Sequence, residues 1–87
     1  MGLSNTAPLY GKVTMTASAA AIPVTRSGSL AIYNDGTSTI YIGDANVTAA
    51  NGYPVAANGG QFVVDTVSSS KYYVIGTNGQ TYRYIVD

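Results

Sequence analysis

The acidic and nucleophilic side chains of this 87-residue chain are the first candidates for chemistry. Glu, His and Cys are absent, so an acid–base pair would have to come from Asp35, Asp44 or Asp65. A nucleophile would have to be a Ser or Thr activated by Lys12 or Lys71. Asp35 and Asp44 lie in turn sequences, where Asp usually hydrogen-bonds to its own backbone. The hydroxyl neighbours of both lysines reflect only a chain rich in Ser and Thr. We therefore expect no catalytic site.

The same residues offer little to a metal ion or a phosphate. Asp44 and Asn46 supply one carboxylate and one amide, whereas calcium usually takes six to eight oxygen atoms, several of them from carboxylates. The chain lacks the Cys and His ligands of zinc sites. The pair Gly59-Gly60 does not open a predicted helix, so it does not form a phosphate-binding loop. We expect neither a metal nor a cofactor.

Charge and hydropathy exclude several classes of partner. Charged residues make up 9% of the chain and the net charge is zero, whereas about 25% is typical of soluble domains. The four basic residues are scattered along the sequence, which argues against nucleic acid. No apolar stretch reaches membrane-spanning length, and no secretory signal is recognisable. The lack of Cys fits synthesis in a reducing cytoplasm. Low charge is expected where neighbouring subunits cover much of a surface.

Strand-forming residues dominate the chain, because Val, Ile, Thr and Tyr are abundant and no helical apolar periodicity occurs. Alternation predicts an all-β antiparallel sandwich, jelly-roll or immunoglobulin-like, with about seven short strands. The domain is expected to span residues 11–87, after a flexible N-terminal arm at residues 1–10. The predicted strands lie at residues 12–16, 30–33, 40–43, 62–67, 71–77 and 80–86.

Two turn sequences predict hairpins. Asn34-Asp35-Gly36 separates the strands at residues 30–33 and 40–43, and Asn78-Gly79 favours a type I′ turn between the last two strands. In the last strand Tyr82, Tyr84 and Val86 share one face, and Thr81, Arg83 and Ile85 share the other. Residues 44–60 form a long connection with a possible short strand near Val47. In this connection Val47 and Val55 are expected to enter the core.

Tyrosine is the remaining residue type with a possible binding role, since it occurs eight times and is common at interfaces. Many tyrosines can simply fill the faces of a thin sandwich. Alternatively they form an interface or a surface that stacks on sugars, for which Asn46 and Asn51 are the nearby amides. Strand parity places Tyr33 and Tyr41 on the face opposite the core, close to each other across the first hairpin. The predicted interface residues are Leu9, Tyr10, Tyr33, Tyr41 and Tyr53.

The order of several short motifs resembles a pattern in small β modules of tailed-bacteriophage virion proteins. The motifs are LAIYNDG at residues 30–36, IYIG at 40–43, VT at 47–48, NGYPV at 51–55 and YYVIG at 72–76, preceded by Ile22-Pro23. The likeness spans roughly residues 12–86. The chain departs from the pattern at Gly60-Gln61, where a Gly-Glu turn is usual, and at Tyr72, where an aliphatic residue is more frequent.

This resemblance implies a non-enzymatic virion component, assembled in the host cytoplasm. A capsid decoration or stabilising protein is the first expectation, acting through contacts with phage capsid or tail proteins. Self-association, for example as a trimer, is also expected. The alternative is a host-recognition or carbohydrate-binding module on a tail appendage.

Overall fold

The computed structural model of the chain describes residues 8–23, 28–66 and 72–87. Within these ranges it contains eight strands. Their bounds are β1 Leu9–Thr14, β2 Ala20–Ala21, β3 Gly28–Asn34, β4 Ile40–Gly43, β5 Tyr53–Val55, β6 Gly60–Thr66, β7 Tyr73–Ile75 and β8 Thr81–Val86. None of the described residues belongs to a helix that could span a membrane.

The strands form two four-stranded antiparallel sheets. The order β1-β8-β3-β6 makes a sheet of six- and seven-residue strands, called here the long sheet, and β2-β7-β4-β5 makes the short sheet. Strand β1 pairs with β8, β2 with β7, β3 with β6 and β4 with β5. The first four strands thus pair in order with the last four, as in one long hairpin whose turn is the β4–β5 loop. This long hairpin folds into two layers, which is the jelly-roll arrangement. The predicted all-β sandwich is confirmed, with eight strands rather than seven.

The core lies between the sheets and follows from alternation along the strands. Leu30 and Ile32 of β3, Ile40 and Ile42 of β4 and Val74 of β7 are at most 3% exposed. Further core side chains come from the segments before β3 and from the last strand, namely Met15, Ile22, Tyr82 and Val86. Val47 and Val55 are also buried, as the sequence predicts for the long connection.

The predicted hairpin at Asn78-Gly79 is wrong. Strand β7 belongs to the short sheet and β8 to the long sheet, so the turn joins the two layers. Gly79 has a positive φ of 88°, but Asn78 does not, and a type I′ turn requires both. The Gln80 N–H donates to the carbonyl of Thr77 at 3.0 Å, in the pattern of a type II turn. Turns of that type splay their flanking strands, which sends β8 into the other sheet.

The hairpin predicted across Asn34-Asp35-Gly36 is also wrong, because β3 and β4 lie in different sheets. The Asn34 side chain organises this crossing. Its amide donates to the carbonyls of Ser38 at 2.9 Å and Val55 at 3.0 Å, and its oxygen accepts the Gly36 N–H at 3.0 Å. With 0% exposure, Asn34 is the buried polar residue of the described core, and all its bonds hold backbone in place.

The first strand and the long connection also differ from the predictions. Strand β1 begins at Leu9 rather than residue 12, so Leu9 and Tyr10 pair with β8 instead of belonging to a free arm. Residues 1–7 of the predicted arm lie outside the described residues, as does the predicted strand end at residue 67. No strand forms near Val47, which sits in a turn, and the connection instead contributes β5.

Candidate interaction surface

The outer face of the long sheet carries side chains aligned in rows across its four strands. Each row follows from the strand register, in which residues paired across neighbouring strands point to the same side. The apolar row is Tyr10, Ile85, Ala31 and Val63. On one side lies the basic row, Lys12, Arg83, Tyr33 and Gln61. On the other side lies the acidic row, Asp87, Ser29 and Asp65.

The apolar row is open to solvent along its length. Tyr10 is 75% exposed, Val63 65% and Ile85 44%, although each lies in a strand of the long sheet. A shallow groove of about 430 Å³ runs over this region, with Tyr10, Tyr33 and Ile85 among its lining residues. Scattered single apolar residues are normal on a surface, but a continuous band across four strands is typical of a contact site.

The basic row is anchored by an ion pair at the start of the β3–β4 crossing. Arg83 Nε donates to Asp35 Oδ2 at 2.9 Å, and Thr81 Oγ1 donates to Asp35 Oδ1 at 2.5 Å. The Thr81 hydrogen bond, and then the bond from Arg83, lower the pKa of the Asp35 carboxyl. Arg83 remains 60% exposed, so the pair adds little to stability.

The acidic row lies at the opposite end of the face. Ser29 Oγ donates to Asp65 Oδ1 at 2.7 Å across the β3–β6 pair. Asp87 continues the row, since its N–H donates to the carbonyl of Ser29 at 3.2 Å. It lies two residues after Ile85, and residues two apart along a strand point to the same face of the sheet. The outer face is therefore ordered from basic through apolar to acidic along the strand direction.

The structure does not bring the five predicted interface residues together. Tyr10 and Tyr33 share the outer face of the long sheet, in the apolar and basic rows. Tyr41 lies on the outer side of the short sheet, half-buried, so the predicted closeness of Tyr33 and Tyr41 is wrong. Leu9 begins the edge strand β1 and is 39% exposed.

Tyr53 belongs to an aromatic row on the side of the sandwich. Its ring centroid lies 5.6 Å from that of Phe62, which lies 5.9 Å from that of Tyr72. This row connects β5 of the short sheet with β6 of the long sheet, and such tilted contacts stabilise a pair by about 0.5–1.5 kcal/mol. Tyr53 is still 62% exposed, so one side of its ring remains open to solvent.

The polar loop between β4 and β5 satisfies its own hydrogen bonds. Asp44 Oδ1 accepts the Asn46 N–H at 2.9 Å, which is the turn role that the sequence predicts for Asp44. Asn51 Oδ1 accepts the Thr48 N–H at 2.7 Å. Gly52 fits beneath this loop, because a Cβ there would lie 2.6 Å from Tyr41 Cβ. The amide oxygen of Asn51 is thus committed to the loop itself.

A metal site is not visible in the parts of the chain that the structure describes. No group of three or more Asp, Glu, His or Cys side chains comes together there. Asp35 and Asp65, the other acids considered from sequence, are each bonded to side chains on neighbouring strands.

The two sheets differ in their edges. The long sheet ends in β1 and β6, of six and seven residues, whereas the short sheet ends in β2, of two residues, and β5, of three residues including Pro54. Short edges and edge prolines discourage strand addition, whereas long edges permit it. The longer edges and the exposed apolar row therefore belong to the same sheet.

Sequence reasoning missed Ile85, Val63 and Lys12 as members of this surface. Alternation in β8 correctly separates Ile85 from Tyr82, but it does not tell which residues lie beside Ile85 in space. Lys12 and Arg83 look scattered in sequence and are paired in register. Only long-range strand pairing creates the rows.

Known proteins give no further guide to this surface. Comparison of the chain with protein families, with curated proteins and with solved structures finds no match in any of the three.

Proposed function

We propose that the chain is a non-enzymatic structural protein of a tailed-bacteriophage virion, which decorates and stabilises the capsid through contacts between subunits. The observation that carries the contact role is the exposed apolar row on the outer face of the long sheet. The assignment to a virion draws on the motif order at residues 30–55 and 72–76, which resembles small β modules of such particles. A jelly-roll sandwich is compatible with that resemblance.

A subunit contact gives a physical reason for the unusual surface. Burial of apolar area contributes about 25 cal/mol per Å², so covering Tyr10, Ile85 and Val63 favours association. A small chain without disulfides has few other sources of stability, and assembly supplies one. On a particle with many copies, weak contacts add up through avidity.

The carbohydrate-binding alternative draws less support from the geometry. Asn51, one of the two amides considered for sugar recognition, uses its oxygen within the loop at 2.7 Å from the Thr48 nitrogen. Tyr41 is half-buried, which leaves Tyr53 as the exposed ring near that loop. A glycan array probed with the wild-type chain and with Tyr53→Ala separates the two functions. Specific glycan binding that is lost in the variant would favour host recognition.

The direct test of the virion role is location. Particles of the phage that encodes the chain are purified, their proteins are identified by mass spectrometry, and the particle is imaged by electron cryo-microscopy. We expect the chain in intact particles at many copies, as a two-layered β density on the outer shell. Its absence from purified particles would overturn the proposal.

A further inference from the structure

We propose that the subunit covering the outer face of the long sheet is a second copy of this chain, related by a two-fold axis that runs parallel to the apolar row. The inference rests on the proposed function in one respect, since it names the partner of the same surface. The argument comes from the order of charges on that face.

The outer face is self-complementary in one orientation. In an isologous dimer each residue meets a residue of the same patch on the other copy. An axis lying over the apolar row and parallel to it reverses the strand direction and keeps each strand opposite itself. The apolar row then packs on its own copy, and the basic row lies over the acidic row of the second copy. In this arrangement Arg83 faces Asp87 of the second copy.

The other face-to-face orientation lacks this complementarity. A two-fold axis parallel to the strands keeps each row over its own copy but reverses the strand order β1-β8-β3-β6. Lys12 then lies over Gln61 of the second copy and Arg83 lies over Tyr33 of the second copy, so no opposite charges meet. Charge complementarity therefore favours the axis parallel to the rows, which pairs Arg83 with Asp87 of the second copy, and that axis closes at two copies rather than three.

The size of the face predicts a weak dimer. Four strands spaced about 4.8 Å apart, and three rows spaced about 6.6 Å apart, give a face of roughly 19 by 20 Å. That is on the order of 400 Å² per copy, about half of the roughly 800 Å² per partner in standard stable complexes. We therefore expect self-association that depends strongly on concentration, strengthened by avidity when many copies sit on one particle.

Residue 63 tests the axis directly. In the proposed dimer Val63 lies opposite Val63 of the second copy, because each strand faces itself. Val63 is 65% exposed on the edge strand β6, so a charged side chain should be compatible with folding. Val63→Lys places two ammonium groups in opposition, and Val63→Glu places two carboxylates in opposition. Each variant alone should associate more weakly than wild type, whereas an equimolar mixture should form a heterodimer.

The measurement is sedimentation equilibrium of the full chain over a concentration series. Wild type should rise from 9.0 kDa towards twice that mass as concentration increases. Val63→Lys should weaken association at least about tenfold. Ala50→Lys is the matched control, since it adds the same charge at an exposed loop residue away from the face and should dimerise as wild type does. Circular dichroism melts confirm that each variant is folded.

The outcomes separate this inference from the proposed function. A wild-type chain that stays monomeric at every concentration overturns the dimer, even if the chain is found in particles. Val63→Lys that dimerises as tightly as wild type, or a mixture of the two charged variants that associates no more tightly than either variant alone, overturns it as well. A dimer that behaves as expected while the chain is missing from particles supports the inference and overturns the virion role.

Discussion

Replacing Asn34 by Asp should destabilise the fold strongly, and the loss should depend on pH. Asn34 is fully buried at the crossing between the sheets, where its amide donates to the carbonyls of Ser38 and Val55. Asp keeps nearly the same shape and retains an oxygen that can accept the Gly36 N–H. Ionised Asp has no donor, so an oxygen would face the two carbonyl oxygens at about 3 Å.

The expected magnitude follows from the two donors that are lost. Each buried acceptor left without a partner costs about 1–3 kcal/mol, so Asn34→Asp should lower the free energy of unfolding by about 2–6 kcal/mol at pH 7. A chain of this size has a total stability of roughly 4–13 kcal/mol. A protonated Asp can donate to one of the carbonyls, which reduces the loss to about 1–3 kcal/mol at low pH.

The sign of the pH dependence follows from burial. Burial and the adjacent carbonyls disfavour the charged form, so the pKa of the introduced carboxyl rises in the folded state above its usual value near 3.9. The folded variant then binds more protons than the unfolded one. The stability gap between Asn34→Asp and wild type should be smallest below about pH 4 and should widen as pH rises towards the folded-state pKa.

Urea unfolding followed by far-UV circular dichroism at pH 4 and pH 7 measures this gap. Asn78→Asp is the matched control, because it makes the same change at an exposed turn residue and should cost less than about 0.5 kcal/mol at both pH values. A loss below about 1 kcal/mol for Asn34→Asp at pH 7, or a gap that does not change with pH, would refute the role assigned to this side chain.

Three further predictions concern other parts of the sandwich. Gly52→Ala should lower the free energy of unfolding by about 1–3 kcal/mol in urea titrations, because its Cβ would lie within 3.0 Å of three other atoms. Asp35→Asn should make the free energy of unfolding less sensitive to acid. Bonds from Thr81 and Arg83 lower the pKa of Asp35 in the folded state, so they give the wild type stability that is present above about pH 4 and is lost as pH falls through the folded-state pKa. Equal acid sensitivity in both proteins would contradict this. Burial raises the pKa of Tyr82 to about 12, so ultraviolet titration should detect late ionisation of Tyr82, and stability should fall from about pH 10 to pH 12.

The faces of individual strands could be predicted from sequence, but the sheet to which each strand belongs could not. Alternation places Leu30 and Ile32 inside, and it separates Tyr82 from Ile85, because a pleated strand has a side-chain period of two. Val47 was also predictable as the apolar residue of a polar loop.

The strand pairings were wrong where a local turn signal was taken as evidence of a hairpin. Asn78-Gly79 does form a turn with Gly79 at positive φ, yet Asn78 keeps negative φ and the strands separate. The Gly79 N–H donates to the carbonyl of Met15, far away in sequence, at 3.0 Å. A turn sequence sets local backbone geometry, whereas tertiary contacts decide which strand lies beside which.

The charges that the structure describes are concentrated rather than spread. Of the six charged residues within residues 8–23, 28–66 and 72–87, five lie on or beside the outer face of the long sheet, namely Lys12, Asp35, Asp65, Arg83 and Asp87. Exposed charges contribute little to folding, so this placement is hard to explain by stability. Charges that flank an apolar row instead favour the orientation in which opposite charges of the two partners meet. A surface built to be covered in one orientation needs few charges, and it needs them at the borders of its apolar row.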